Sequence, residues 1–153
     1  INATGLHARP ASVFVTEAKK YQSNVTIKNV DKDSAPVNAK SIMMILAAGL
    51  GTGTKVEVYD NVTNELVETF YIIIYGDVNG DADVSAIDVS IVSDESLLFT
   101  SWSVYGDEYK PYMHKAGDIK KDNYIDVLDE SLINAHALGR GVINQETGLI
   151  EYD

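Results

Sequence analysis

The sequence of 153 residues predicts an α+β fold: a small antiparallel-sheet and helix module followed by a mostly α-helical module. Runs rich in β-branched and aromatic residues end the first half, at 55–59 and 66–75. In the second half, a loop of twelve oxygen-rich residues begins at Asp77 and recurs 41 residues later at Asp118. Each loop runs into an apolar pattern with helical spacing. We therefore predict one module over residues 1–75 and another over residues 76–153.

The distribution of charge supports this division. Residues 1–75 carry seven Lys/Arg and seven Asp/Glu, whereas residues 76–153 carry five and sixteen, so the net charge of −11 lies in the second half. Such an acidic region attracts cations and disfavours nucleic acid as a partner. No apolar run is long enough to predict a transmembrane span. The chain has no cysteine, so cysteine usage does not indicate a redox compartment. It has no initial Met and no signal peptide, which we interpret as a fragment or a processed form.

In the first half, the spacing predicts a helix over residues 11–21, with Pro10 in its first turn. His7 precedes that helix, and the free backbone N–H groups and dipole of a helix start favour an anion. With Arg9 beside it, His7 is a chemically sensible phosphoryl acceptor.

Further along, residues 24–27 predict a strand and Ser41 predicts the cap of a second helix. Residues 55–59 and 66–75 predict a hairpin joined by a turn at 60–64.

The segments Gly5-Leu6-His7-Ala8-Arg9-Pro10-Ala11-Ser12 and Asn38-Ala39-Lys40-Ser41-Ile42-Met43-Met44 resemble the active-site signature and regulatory serine segment of the histidine-containing phosphocarrier HPr. The resemblance implies that His7 carries a phosphoryl group, that Arg9 stabilises it and that Ser41 is regulatory. The implied partners are cytoplasmic phosphotransferase-system proteins. The resemblance extends to about residue 59, beyond which the strand-like run 66–75 departs from that family's long third helix. The first half is a degenerate phosphocarrier fold, a chimera or an accessory module.

The two acidic loops place oxygen-bearing residues at the positions 1, 3, 5, 7, 9 and 12 from which an EF-hand loop takes its calcium ligands. The predicted ligands, with Asp83 and Tyr124 contributing backbone carbonyls, are Asp77, Asn79, Asp81, Asp83, Ser85 and Asp88 in the first loop and Asp118, Asp122, Tyr124, Asp126 and Asp129 in the second. We therefore predict two calcium ions. Position 6, which requires a left-handed backbone, is Ala82 in the first loop and Asn123 in the second. Lys120 stands at position 3 of the second loop, where either water fills the vacancy or its ammonium replaces part of the charge of the ion.

Between the loops, residues 99–117 predict an ordered connector whose aromatic rings pack on the two loop-helix units, with a sugar-binding aromatic strip as the alternative. No amphipathic helix is predicted to enter either loop. The second helix is predicted to end at Gly139, a favourable residue after a helix. The tail from residue 141 is predicted either to be mobile or to fold back over the first loop.

The repeated loop-helix pattern, with Gly76-Asp77-Val78-Asn79-Gly80-Asp81, residues 118–129 and the tail 137–145, resembles the type I dockerins of cellulosomes. The resemblance implies a secreted, non-catalytic chain that docks on a scaffoldin cohesin and anchors its parent protein in a complex for polysaccharide degradation. The implied protein–protein contact residues are Ala86, Ile87, Val127 and Leu128. We expect Ala86 and Val127 to be exposed, and Ile87 and Leu128 to be half-buried.

Calcium-dependent docking on a cohesin is thus the main predicted function, and phosphoryl transfer through His7 is the alternative. A third possibility is a calcium-stabilised structural domain. The spacing of the carboxylates suits a metal rather than an acid/base pair, so no enzymatic activity is predicted.

Overall fold

The structure, a computed structural model, describes residues 8–28, 34–59, 63–99 and 102–152. Its elements follow one another in the order α1 (Ala8–Ala18), β1 (Val25–Ile27), β2 (Val37–Asn38), α2 (Ile42–Ala47), β3 (Lys55–Tyr59), β4 (Leu66–Tyr71), α3 (Ala86–Ser96), a 3₁₀ turn (Trp102–Tyr105), α4 (Lys110–Gly117), α5 (Val127–Ala137), β5 (Val142–Ile143) and β6 (Ile150–Glu151). The predicted mixed α+β class, with an antiparallel sheet and several helices, is confirmed. The predicted division at residue 75 stays a prediction.

The first half is built on a four-stranded antiparallel sheet with the strand order β2-β1-β3-β4. Val25 and Ile27 are buried on either side of half-buried Thr26, which is the alternation of a strand with one covered face. Ala11, Val15 and Ala18 recur on one buried face of α1 with helical spacing. These side chains, together with Ile45 of α2 and Val56 of β3, belong to the apolar core.

Two element boundaries differ from the prediction. Helix α1 spans Ala8–Ala18, whereas residues 11–21 were predicted. The earlier start is possible because Pro10 is tolerated inside a first helical turn. Strand β4 ends at Tyr71, although a strand was predicted to continue to residue 75. After Ile72 the Thr52 side chain holds Ile74, since the Thr52 hydroxyl accepts from Ile74 N at 3.0 Å and donates to Ile74 O at 3.1 Å. The chain then turns at Gly76, whose φ is +95°.

The second half is organised around the packing of α3 against α5, which buries Ile91, Val92 and Ile133. Helix α4 leads directly into the second acidic loop, so the prediction that no helix enters either loop is wrong for this one. Pro111 lies in the first turn of α4 and favours the start of a helix there. This proline lies within residues 99–117, which were predicted to be an ordered connector and not a helix.

The connector does place one aromatic ring in the core, as predicted. Trp102 is buried, and its indole Nε1 donates to the carbonyl of Ile91 at 3.2 Å. Phe99 is exposed, in contrast to the predicted packing of the connector rings. With its only tryptophan buried, the connector does not present the full aromatic strip of the sugar-binding alternative.

The tail folds back, which is one of the two predicted alternatives. Strands β5 and β6 form a short hairpin, and Ile143 is buried. The side-chain amide of Gln145 accepts from Tyr75 N at 2.8 Å and donates to Tyr75 O at 3.0 Å. The tail therefore covers the chain just before the first acidic loop. Among the described residues, no helix is both long and apolar enough to span a membrane.

Candidate functional site

The predicted phosphoryl acceptor, His7, lies outside the described residues. Helix α1 spans Ala8–Ala18, and Ala8 is the next residue after His7 in the sequence. Arg9 belongs to the first turn of that helix, which contains no acidic residue. Among the described residues, the first turn of α1 thus carries a basic residue and no acidic one.

Ser41 occupies the N-cap position of α2, as predicted, but its side chain makes no capping hydrogen bond. The residue is half-buried, and its backbone carbonyl accepts from Ile45 N at 3.0 Å. That bond is the first of the helix itself, so the Ser41 side chain contributes no capping bond to α2.

In the first acidic loop, residues 77–88, two aspartates are fully buried. The Asp77 carboxylate accepts from the backbone N–H groups of Thr52 at 2.9 Å, Gly80 at 2.8 Å and Ala82 at 3.2 Å. Desolvation by burial nevertheless raises the pKa of Asp77 to about 7. Asp88 is equally buried, and desolvation raises its pKa as well.

Asp88 ties the end of this loop to its beginning. Its Oδ1 accepts from Val78 N at 2.9 Å and Asn79 N at 3.2 Å, and its Oδ2 accepts from Ser85 N at 2.9 Å. Ser85 caps α3 by accepting from Ile87 N at 3.2 Å, which completes a capping box. The predicted left-handed backbone at position 6 is confirmed, with a φ of 77° at Ala82.

The outer part of the first loop is held by its own polar side chains. Asn79 accepts from Asp81 N at 2.8 Å, and its amide donates to Asp81 Oδ2 at 2.8 Å. Asp81 Oδ1 in turn accepts from Asp83 N at 2.9 Å. The predicted side-chain ligands at positions 3 and 5 therefore lie side by side.

The second acidic loop, residues 118–129, repeats this architecture. Asp129 is fully buried and accepts from Lys120 N at 3.0 Å and Asp126 N at 3.1 Å. Asp118 accepts from Asp122 N at 3.1 Å and Asn123 N at 2.9 Å. The predicted left-handed backbone at position 6 is again confirmed, with a φ of 68° at Asn123.

The end of the second loop carries the counterpart of the Ser85 cap. Asp126 caps α5 by accepting from Leu128 N at 2.8 Å and forms a capping box with Asp129. Tyr124, whose carbonyl is the predicted ligand at position 7, has an exposed ring, and its N–H donates to Asp122 Oδ1 at 3.1 Å.

Carboxylates converge inside the second loop. One oxygen each from Asp118, Asp122 and Asp129 lie within 4.8 Å of one another. The Lys120 ammonium lies 2.5 Å from Asp122 Oδ2 and 3.1 Å from Asp126 Oδ2.

These ion pairs shift the pKa values of the residues that form them. The bonds raise the pKa of Lys120, and the bond to Lys120 is the largest cause that lowers the pKa of Asp122. Hydrogen bonding to Leu128 N, followed by the bond to Lys120, lowers the pKa of Asp126. Desolvation raises the pKa of buried Asp129.

Sequence reasoning missed the contact between the first loop and the preceding hairpin. A Cβ atom on Gly51 would lie only 2.1 Å from the carbonyl oxygen of Gly80. Together with the bond from Thr52 N to Asp77, this contact seats the turn at 51–54 directly on the loop. The signal in the sequence is the run Gly51-Thr52-Gly53-Thr54, in which glycine permits close approach of the backbone.

The four predicted partner-contact residues are all exposed. Ala86 and Val127 agree with the prediction, but Ile87 and Leu128, at 59% and 53% exposure, were expected to be half-buried. The reason is that apolar burial along α3 and α5 begins beyond their first turns, at Ile91 and Ile133.

Comparison with known proteins finds similarity in the first half. A family model described as the phosphorylation site of the PTS HPr component matches residues 1–65. The chain is 48% identical over 54 residues to a multiphosphoryl transfer protein of Haemophilus influenzae, covering 35% of this chain and 11% of the relative. It is 49% identical over 53 residues to the HPr-like protein Crh of Bacillus subtilis, covering 35% and 59% of the two chains. It is also 48% identical over 54 residues to phosphocarrier protein HPr of Mycoplasma capricolum, covering 35% and 57%. No solved structure matches.

The first 65 or so residues are therefore HPr-like. The chain spans about a tenth of the multiphosphoryl transfer protein and under two thirds of the two shorter relatives. These matches contradict the main predicted function, in which the chain is a cohesin-binding dockerin of a cellulosome. They support the phosphocarrier alternative better, and the functional assignment is corrected accordingly.

Proposed function

We propose that the HPr-like region is a phosphocarrier that accepts a phosphoryl group on His7 from a protein of the sugar phosphotransferase system. The observation that carries this proposal is the match of residues 1–65 to the HPr phosphorylation-site family. In the transfer, a ring nitrogen of His7 attacks the phosphorus atom, and the bond from phosphorus to the donor protein breaks. In the onward transfer, the next acceptor attacks the phosphorus atom, and the bond from phosphorus to the His7 nitrogen breaks. The chain would thus be a substrate of its partners rather than an enzyme.

The electrostatics of α1 support this role. The first backbone N–H groups of a helix have no partner within the helix and carry a partial positive charge. Helix α1 starts at the residue after His7, has no acid in its first turn and includes Arg9 there. An incoming dianionic phosphoryl group would be attracted to such a helix start.

Ser41 would then be the regulatory residue of the same region. This assignment rests on the resemblance of residues 38–44 to the family's serine segment. Its side chain makes no capping bond, so a modification would not have to break one. The phosphocarrier role also implies the cytoplasm, where the phosphotransferase partners and phosphoenolpyruvate are found.

The test is incubation of the whole chain with labelled phosphoenolpyruvate and the general phosphotransferase enzyme. We expect an acid-labile, base-stable label that His7→Ala abolishes. His114→Ala is the matched control and should keep the label, because His114 lies on α4 in the other half. A wild-type chain that takes no label, or a His7→Ala chain that retains it, would rule out the proposal.

We propose calcium binding by the first acidic loop as a second function. It is supported by the full burial of Asp77 and Asp88, whose desolvated carboxylates raise the cost of folding without a cation. Oxygen donors of this kind suit calcium. In the first loop the ion would be held by Asp77, Asn79, Asp81, the carbonyl of Asp83, Ser85 and Asp88. In the second loop the available donors are Asp118, Asp122, the carbonyl of Tyr124, Asp126 and Asp129. Bound calcium would supply positive charge and so stabilise the fold.

Calorimetric titration of the chelator-stripped chain with calcium, followed in parallel by circular dichroism, tests this second function. Asp88→Ala should abolish binding to the first loop. Asp107→Asn should not, because Asp107 is exposed in the connector outside both loops. Absence of any calcium-binding heat would exclude a calcium role for the wild-type chain.

A further inference from the structure

The two acidic loops differ most at their third position. The first loop has Asn79, whose amide bonds to Asp81. The second loop has Lys120, a cation at a position where an ion-binding loop needs an oxygen. The Lys120 side chain is 27% exposed, so most of it lies within the loop.

Lys120 contacts three acidic residues of its own loop. Its ammonium bonds to Asp122 at 2.5 Å and to Asp126 at 3.1 Å, and its backbone N–H donates to Asp129 at 3.0 Å. Asp122 and Asp126 are the residues at positions 5 and 9, which would otherwise face the ion. The positive charge of the Lys120 ammonium therefore lies where a bound metal ion would place its charge.

We propose that Lys120 is the built-in cation of the second loop, and that this loop is ordered by its ammonium without a metal ion. The contrast with a calcium-binding first loop rests on the second function proposed above, but the role of Lys120 itself does not. The second loop would then be calcium-independent, and the chain would bind one calcium ion rather than two.

Electrostatic repulsion disfavours the presence of both the Lys120 ammonium and a divalent metal ion in the second loop. Asp122 belongs both to the convergent group with Asp118 and Asp129 and to the ion pair with Lys120. A divalent ion in that group would share a carboxylate with the ammonium and lie close to a like charge. It would also lack the oxygen ligand at position 3, which the first loop supplies.

The adjacent lysine does not duplicate this role. The Lys121 ammonium lies 4.8 Å from the centroid of the Tyr75 ring and donates to the carbonyl of Thr147. It therefore links the loop to the tail and is directed away from the carboxylates that Lys120 bridges. The positive charge inside the loop is specific to position 120.

The first experiment removes the cation in the presence of a chelator. Lys120→Met should raise the amide hydrogen exchange of residues 120–129 by about tenfold, because the charge-assisted bonds to Asp122 and Asp126 are lost. Lys115→Met is the control, since it removes the same charge from an exposed position on α4 that borders the cleft containing Asp118. Unchanged exchange in the Lys120→Met chain would overturn the proposal.

The second experiment exchanges the cation for an oxygen ligand. Lys120→Asn installs at position 3 the residue found in the first loop, and calorimetry should then detect one more calcium ion than in the wild-type chain. If the variant loses helical circular dichroism, Lys120→Gln takes its place. Wild-type binding of a second ion as tightly as in the variant would refute the inference. A wild-type chain that binds none, with a variant that gains one, would refute calcium binding by the first loop and keep the role of Lys120.

Discussion

The first and second acidic loops have nearly the same backbone but different means of balancing charge. Both have a left-handed residue at position 6, a fully buried aspartate at position 12 and a capping box at the start of the next helix. Only the second contains its own ammonium group. The comparison shows that hydrogen bonding between carboxylates and backbone N–H groups sets the loop geometry. The loops differ at position 3, with Asn79 in the first and Lys120 in the second, and this difference underlies the inference that different cations complete them.

The loops also differ in what they are attached to. The first is seated on the hairpin of the HPr-like sheet through Thr52, Gly51 and Gly80. The second is linked to the tail through Lys121. A disturbance of the first loop should therefore reach the sheet, whereas one in the second loop should stay in the acidic half.

The largest expected difference is in the pH dependence of stability without calcium. The pKa of Asp77 is raised from 3.8 to about 7 in the folded chain, so the folded state binds the proton more tightly than the unfolded state. The contribution of Asp77 to stability is then greatest below about pH 4 and falls as the pH rises to about 7, by up to about 4 kcal/mol. Urea unfolding with a chelator at several pH values should show this fall.

Asp77→Asn should remove most of that fall, because an amide has no proton to lose over this range. Asp118→Asn, at the same position of the second loop, should leave it unchanged. An undiminished pH dependence in the Asp77→Asn chain would show that Asp77 does not cause it and would weaken the contrast between the loops.

The next largest effect concerns the contact between the first loop and the sheet. Gly51→Ala would place a methyl group 2.1 Å from the carbonyl oxygen of Gly80, so backbone must move. We expect the free energy of unfolding to fall by about 3 kcal/mol. Gly139→Ala is the control, since its φ is +66° but no atom lies within 4 Å, and it should cost only about 1 kcal/mol. Equal losses in the two variants, measured by urea unfolding, would mean that the close contact between Gly51 and Gly80 does not add to the loss of stability.

The smallest effect compares the two helix caps. Ser85→Ala removes the hydroxyl that accepts from Ile87 N and should cost about 1 kcal/mol. Asp126→Ala should cost more, because Asp126 both caps α5 and accepts from Lys120. Asp126→Ser, which keeps a capping oxygen but loses the charge, should fall between wild type and Asp126→Ala. Thermal unfolding of the variants checks this order, and an Asp126→Ala loss no larger than that of Ser85→Ala would contradict it.

Local features of the fold could be predicted from the sequence because each depends on nearby residues. The left-handed backbone at Ala82 and Asn123 follows from position within a twelve-residue loop. The antiparallel pairing of β3 with β4 follows from composition and a short turn. Strand alternation at Val25 and Ile27 is likewise local.

Features that depend on distant parts of the chain could not be predicted in this way. The hydrogen bond from Thr52 N to Asp77 joins residues that are 25 positions apart, and no local sequence pattern predicts it. The exposure of Ile87 and Leu128 depends on where α3 and α5 meet. Loop spacing also directed the prediction of function to the second half, whereas the family match covers residues 1–65. Regular spacing reveals a repeated structure more readily than it reveals which half carries the chemistry.

The hydrogen bonds between Gln145 and Tyr75 have a mechanical consequence. One side chain holds both backbone groups of a residue 70 positions earlier in the chain. Tension applied between residue 75 and the carboxyl terminus would load this pair before it could extend the segment that contains α3, α4 and α5. Both hydrogen bonds would bear the pulling force at the same time, so they would resist it as one unit and break together. The acidic half would open abruptly once they broke, rather than unravel gradually from its end.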